Sequence, residues 1–132
     1  MKNCLTLLLL LVSLTTFGQN LDECGNDDNP KLSQAESEFL NSYFDDKMFD
    51  FTGKKVIFVT QERAQSIETK SNYFDQVKQY NKQDSKVMNW VVTLNEQEKI
   101  DSGGYDIIIC YWVKLLTKGR KRRIIKKVGK NQ

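Results

Sequence analysis

The chain has no histidine, and that absence closes more chemistry than any residue present opens. A Ser-His-Asp or Cys-His nucleophile, a His-containing zinc site, a His proton shuttle and a phosphohistidine all need an imidazole. Proline occurs once and glycine seven times in 132 residues, so a collagen-like reading falls away. No Gly-rich phosphate loop, GxSxG elbow or HExxH sequence occurs. The longest apolar stretch, Leu5 to Leu14, is interrupted by Thr6 and Ser13 and falls well short of the roughly 20 residues a spanning helix needs. The three cysteines match no CxxC redox or zinc spacing. No catalytic constellation, metal set or cofactor motif is readable.

What is present is ordinary for one globular domain: 39% hydrophobic, 28% charged and 11% aromatic residues in a length that suits a single core. Met1, Lys2 and Asn3 make a short basic start before the apolar stretch, and Thr16-Phe17-Gly18 puts small residues at the two positions a signal peptidase reads. Residues 1–18 are therefore expected to be a signal peptide, cleaved before Gln19. The product would be exported, periplasmic or secreted, with no transmembrane segment in its mature chain. Lipidation does not fit, because Cys24 follows Leu21-Asp22-Glu23 and Cys4 precedes the apolar run. Export would leave Cys24 and Cys110 where disulfides persist. A bond between them requires the N-terminal segment to lie over the sheet; otherwise Cys110 is a buried, unreactive thiol.

Residues 19–29 carry Asp22, Glu23, Asp27 and Asp28 and read as a mobile acidic leader, without the ligand alternation of a calcium loop. Asn29-Pro30 then predicts a helix start, with Leu32, Ala35, Phe39, Leu40, Tyr43 and Phe44 on one face as far as Asp46. Lys54–Thr60 is a buried strand, Gln61–Lys70 a polar loop, Ser71–Gln83 a second helix and Lys86–Leu94 a second strand. Asn95 caps a short helix, Glu96–Asp101. The following Asp101-Ser102-Gly103-Gly104 looks like a serine-protease string, but with no base in the chain it reads as a helix stop. Tyr105–Leu116 is the longest strand, and Lys118-Gly119 turns into a ribbon over Lys121–Val128. The fold class is α/β, with α+β as the alternative: one domain over residues 30–128 and a tail over 129–132. It comprises a mixed four-stranded sheet, two main packed helices, a parallel pair across the first crossover and a C-terminal antiparallel hairpin. The expected core is Phe39, Phe44, Val56, Phe58, Phe74, Val77, Trp90, Val92, Ile107, Ile109 and Tyr111.

Charge is the least ordinary feature. Gln19 to Asp50 has nine acids and two lysines, Phe51 to Val113 is balanced, and Lys114 to Gln132 has nine Lys/Arg and no acid. Such blocks mark interaction surfaces. Lys118, Arg120, Lys121, Arg122, Arg123, Lys126 and Lys127, with Lys114 and Lys130 beside them, are the candidate binding residues. The partner would be an anionic surface: lipid phosphate, anionic glycan or extracellular nucleic acid. Two readings need no partner, namely protection of a sheet edge and pairing with the acidic N-terminal region. The leading function is thus a non-catalytic exported or envelope-associated binding protein. The alternative is a His-independent hydrolase or transferase at the loop after the first strand, where Arg63, Ser66 and Ser71 would receive an anion. Carboxylates or lysines converging in a pocket near Glu62, Arg63 and Glu68 would favour the enzyme. The sequence sets no oligomeric state.

Overall fold

Val56–Thr60 and Ile107–Tyr111 are each buried at all five positions, which a strand achieves only between two covered sheet faces. The computed structural model describes residues 21–44, 49–61, 66–113 and 116–130, and these two strands pair in parallel at the centre of a four-stranded sheet. In chain order the elements are α1 (Gln34–Tyr43), β1 (Val56–Thr60), β2 (Ser66–Glu68), α2 (Lys70–Asn81), β3 (Asn89–Thr93), α3 (Glu96–Asp101), β4 (Ile107–Tyr111) and α4 (Lys118–Lys130). The sheet order is β2-β1-β4-β3, with β2 and β3 antiparallel to their neighbours. The α/β class and the mixed four-stranded sheet are as expected. The signal peptide and its cleavage site lie outside the described residues.

Side-chain alternation divides the core into two layers. On the first face Val56, Phe58, Ile107, Ile109 and Tyr111 meet α1 and α2 through Phe39, Leu40, Tyr73, Phe74 and Val77. Tyr73 anchors this layer, stacking on Phe58 at 4.7 Å and meeting Tyr111 edge-on at 5.1 Å. Its hydroxyl donates to Asn89 Oδ1 at 2.8 Å, and burial pushes its pKa well above the usual tyrosine value. On the second face Ile57, Val59, Ile108 and Cys110 meet α4 through Ile124, Ile125 and Val128.

The expected C-terminal hairpin is corrected, because Lys118–Lys130 is a helix. Ile124 and Val128 fit a period of two and a spacing of four equally well. Ile125 decides, since it is buried beside Ile124, and adjacent residues of a strand would face opposite ways. Thr117 caps the helix, its hydroxyl accepting from the Arg120 N–H at 3.3 Å. The fourth strand is instead β2, inside the segment read as a loop, and Ile67 is the single apolar residue of its three. The expected parallel pairing of β1 with the strand after α2 is also corrected. β4 inserts between them, since its Ile-Ile-Ile-Cys run demands cover on both faces, whereas Asn89 and Thr93 suit β3 to an edge.

The N-terminal region differs as well. α1 starts later than Asn29-Pro30, because residues 30–32 run extended beside β1: the Val56 N–H donates to Pro30 O and the Leu32 N–H to Lys54 O, both at 2.9 Å. Ser33 is the true N-cap, in a reciprocal capping box with Glu36. Residues 21–29 are not a free leader, since Leu21 and Cys24 are buried in the first core layer. Of the expected core, Phe44, Trp90 and Val92 are only partly buried, whereas Cys24, Leu40, Phe51 and Tyr73 are fully so. Cys24 and Cys110 are not bonded to each other and lie in different layers, with the sheet between them, so lying over the sheet does not bring them together. Burial pushes the Cys24 thiol up to about 12, with the Glu36 charge adding to it.

A buried ion pair ties the first layer together. Lys70 and Glu36 are 3% and 2% exposed, and Lys70 Nζ stands 2.8 Å from both Glu36 Oε1 and Asp27 Oδ1. Glu36 also accepts the Ser33 and Gly25 N–H groups at 2.8 Å. Gly25 is required there: its φ is +73°, and a Cβ would press into Phe74. Burial would push the Lys70 ammonium down, but its hydrogen bonds to Asp27 and Glu36 outweigh this and hold it above the usual lysine value.

Truncating Phe58 or Ile109 to Ala should cost roughly 2–5 kcal/mol, and Glu36→Ala, which removes the buried partner of Lys70 and leaves it only the exposed Asp27, about 3–5 kcal/mol. Met88→Ala, at an exposed site, should stay within about 0.5 kcal/mol. Urea unfolding of the four variants checks the ranking.

The pH dependence has two limbs. Hydrogen bonds from Lys70 and from Ser71 hold the Asp27 and Asp28 carboxyls below the usual aspartate value. Their contribution is therefore full above about pH 4 and lost as pH falls through the folded values. Lys70 is raised, so its contribution is full below about pH 10.4 and lost as pH climbs through its folded value. Melting temperatures should thus fall at both ends of a pH series, and a profile flat in acid would show that the Asp27 and Asp28 contacts add nothing to folding.

Candidate functional site

The candidate binding residues lie on α4, where the helix resolves them into two kinds. Ile124, Ile125 and Val128 turn to the sheet, while Lys118, Arg120, Arg122, Arg123, Lys126, Lys127 and Lys130 are exposed. Lys121 is the exception, half-buried on the flank with its ammonium 3.0 Å from Glu98. Burial would raise the Glu98 carboxyl, but the Asn95 N–H and Lys121 outweigh it and hold it below the usual glutamate value. Of the eight basic side chains of α4, Lys121 is the only one with an ion pair among the described residues. Lys114 lies outside them.

Among the described residues neither partner-free reading accounts for this surface. The basic segment is a helix on a sheet face, so it guards no strand edge. No described ion pair joins α4 to the N-terminal region, where Asp27 and Glu36 hold Lys70 and Asp28 holds Ser71 on the opposite face. The cations of α4 therefore confront one another. Lys118 and Arg122, Arg122 and Lys126, Lys126 and Lys130, and Arg123 and Lys127 are each four residues apart, a spacing at which like charges cost about 0.2–0.5 kcal/mol per pair. The helix also has no acid in its first turn to complement its dipole. It is held down by its apolar stripe and by Gly129, where a Cβ would run into the Asp101 carbonyl oxygen. Beside that contact Arg122, Lys126 and Lys130 border a shallow groove of about 370 Å³ that reaches Ile125.

Among the described residues the loop after β1 shows no anion site built on Ser71. Glu62 and Arg63 lie outside the described residues. Ser71 donates both its N–H and its hydroxyl to Asp28 Oδ1, at 3.1 and 2.6 Å, so the chain's own carboxylate already sits at the α2 N-terminus. Lys70 is sequestered in its ion pair. Glu68 is different: from β2 it faces a cleft of about 500 Å³ at the carboxyl ends of β1 and β4. Thr60 and Tyr111, partners in the parallel register, contribute from the sheet, Asn72, Asp75 and Gln76 from α2, and Trp112 from the chain leaving β4.

Trp112 is the residue that sequence patterning misplaces. Strict alternation after Tyr111 sends it to the second face, yet it packs against the first layer, and Val113 joins the second. The cause is a left-handed backbone at Trp112, φ +58°, held by its N–H donating to Met88 O at 2.9 Å. Tyr111 and Trp112 thereby end on the same side, with Trp112 against Tyr80 at 5.1 Å. The Tyr-Trp pair closing an apolar run was the available signal; nothing in the spacing indicated the kink.

Residues 28–130 match the family described as Domain of unknown function (DUF8192). The chain belongs to that family. The matched span holds all eight elements, so the DUF8192 unit includes the two-faced sheet, the basic helix and the cleft. No curated protein and no solved structure matches the chain. Among the described residues of this DUF8192 protein, no helix is long and apolar enough to cross a membrane.

Self-repulsion along α4 makes a salt prediction. Raising sodium chloride from about 0.1 M to 1 M shortens the Debye length from about 10 Å to 3 Å, so the melting temperature should rise. A fall would mean that attractive pairs dominate the surface. Replacing Arg122, Lys126 and Lys130 by Gln should remove most of the salt response.

Proposed function

We propose that this DUF8192 protein is a non-catalytic binding protein, exported to the periplasm or the cell exterior, that docks onto an anionic surface through the outer face of α4. The observation carrying the reading is the row of seven exposed cations whose charge no described acid of the fold meets. Thirteen residues at about 1.5 Å rise each make a helix about 20 Å long, enough to lie along several neighbouring phosphates or sulfates. Attachment is electrostatic and peripheral, because Ile124, Ile125 and Val128 are used up against the sheet and none is left to insert into a bilayer. Arg120, Arg122 and Arg123 contribute most, since a guanidinium forks onto phosphate or carboxylate where an ammonium offers a point charge. Export is supported by the basic start, apolar stretch and small-residue site of residues 1–18.

A His-independent hydrolase or transferase at the end of β1 has one observation in its favour, the presence of Glu68 and Asp75 around one cleft. Of its expected anion-receiving residues, Ser71 is already engaged by Asp28 and Arg63 lies outside the described residues.

The test is retention of the mature protein on phosphatidylglycerol vesicles, heparin and duplex DNA, with a triple variant Arg120→Gln, Arg122→Gln, Arg123→Gln. The native protein should be retained on at least one at low salt and released steeply as salt rises. The variant should lose retention while melting no lower than the native protein, because these side chains are exposed and outside every described ion pair. Preference among the three matrices assigns the partner class. Absence of salt-sensitive retention, or a triple variant that unfolds, overturns the reading.

A further inference from the structure

The cleft at the carboxyl ends of β1 and β4 is chemically the opposite of α4. Among the described residues its lining includes two carboxylates and no lysine or arginine. Glu68 gives one oxygen, Oε2, to the Asn72 side-chain N–H at 2.9 Å. Asp75, exposed on α2, makes no hydrogen bond or ion pair among the described residues. Thr60 adds an observation independent of the acids: it is only 4% exposed, lies on the sheet face that floors the cleft, and its hydroxyl makes no hydrogen bond among the described residues. That hydroxyl opens into the cleft, where water or a ligand can meet it. At one wall stands the indole of Trp112, turned onto this face by its left-handed backbone, where its π-surface attracts cations. The volume, about 500 Å³, falls within the roughly 300–1,000 Å³ typical of small-molecule sites. The place also fits, since crevices at the carboxyl ends of parallel strands are where α/β sheets hold ligands.

We propose that this cleft is a second binding site, for an organic cation: a ligand presenting an ammonium or guanidinium group on a short stem. Asp75 and the free oxygen of Glu68 meet the charge, Thr60 accepts a hydrogen bond at the floor, and Trp112 covers the cation or its stem. The source is either a free amine or the Lys or Arg side chain of a peptide, and both present the same chemistry. The site is independent of polyanion docking by α4, which lies across the sheet.

Calorimetric titration of the mature protein with agmatine, cadaverine, the peptide Gly-Arg-Gly and glucose tests this. At least one cationic probe should bind saturably while glucose does not. Agmatine or cadaverine binding above the peptide assigns a free amine, and the reverse assigns a side chain. Asp75→Asn and Glu68→Gln should each weaken binding about tenfold, equivalent to about 1.4 kcal/mol. Trp112→Gly, which suits the left-handed backbone while removing the ring, should abolish it. Asp75→Asn keeps the test decisive if the other variants fold poorly, because Asp75 is exposed and outside every described contact. The triple arginine variant of α4 should bind the cation as the native protein does. Glucose binding without cation binding, no binding by any probe, or an unaltered affinity in Asp75→Asn overturns the proposal.

Discussion

Burying Lys70 beside Glu36 is the constraint on which the first layer depends. Either charge alone would be intolerable at that depth, and each is accommodated only because the other is present with its hydrogen bonds filled. The filling groups come from separate stretches of chain: Gly25 and Ser33 donate from their backbones, and Asp27 supplies the second carboxylate. The knot therefore joins the N-terminal segment, α1 and α2 in one arrangement, since sliding any of them strands a charge. It also explains why residues 21–29, acidic and polar in composition, are a structural part of the domain.

The sheet allocates charge as well as apolar surface. β1 and β4, buried on both faces, need cover on both. α1 and α2 cover one side, with Glu36 consumed internally by Lys70 and Asp75 left at the cleft; α4 covers the other with an apolar stripe and a basic back. Lys121 and Glu98 form the single described ion pair linking the basic helix to the rest of the fold, and they sit at its edge. Function on this scaffold separates likewise, with cations displayed on one side and a carboxylate-lined cleft opening at the end of the other.

Much of the fold was legible because period and punctuation agreed. The runs around Phe58 and Ile109, the Asn95 cap of α3 and its Gly103-Gly104 stop all read correctly. Three features were not legible, each for a physical reason. The spacing of Ile124 and Val128 suits strand and helix alike, and only the burial of Ile125 separates them. β2 is three residues long with one apolar side chain, too short for any period to register. The order of the strands is set by which of them needs cover on both faces, a comparison between distant segments. The basic residues of α4 were readable as a charge block; that Lys121 turns inward, and that Thr60, Asp75 and Trp112 share a cleft, comes from tertiary placement alone.

Because the sheet holds the unopposed cations of α4 on one side and the carboxylates of the cleft and N-terminal segment on the other, the molecule is an electric dipole as well as a fold. A charged surface exerts a torque on such a body before contact, turning it while it diffuses. On the proposed reading it would arrive at an anionic surface with α4 leading. Once seated, it would present its acidic side to the surrounding solution, giving that surface an outward-facing layer that still reads as negative but now has shape.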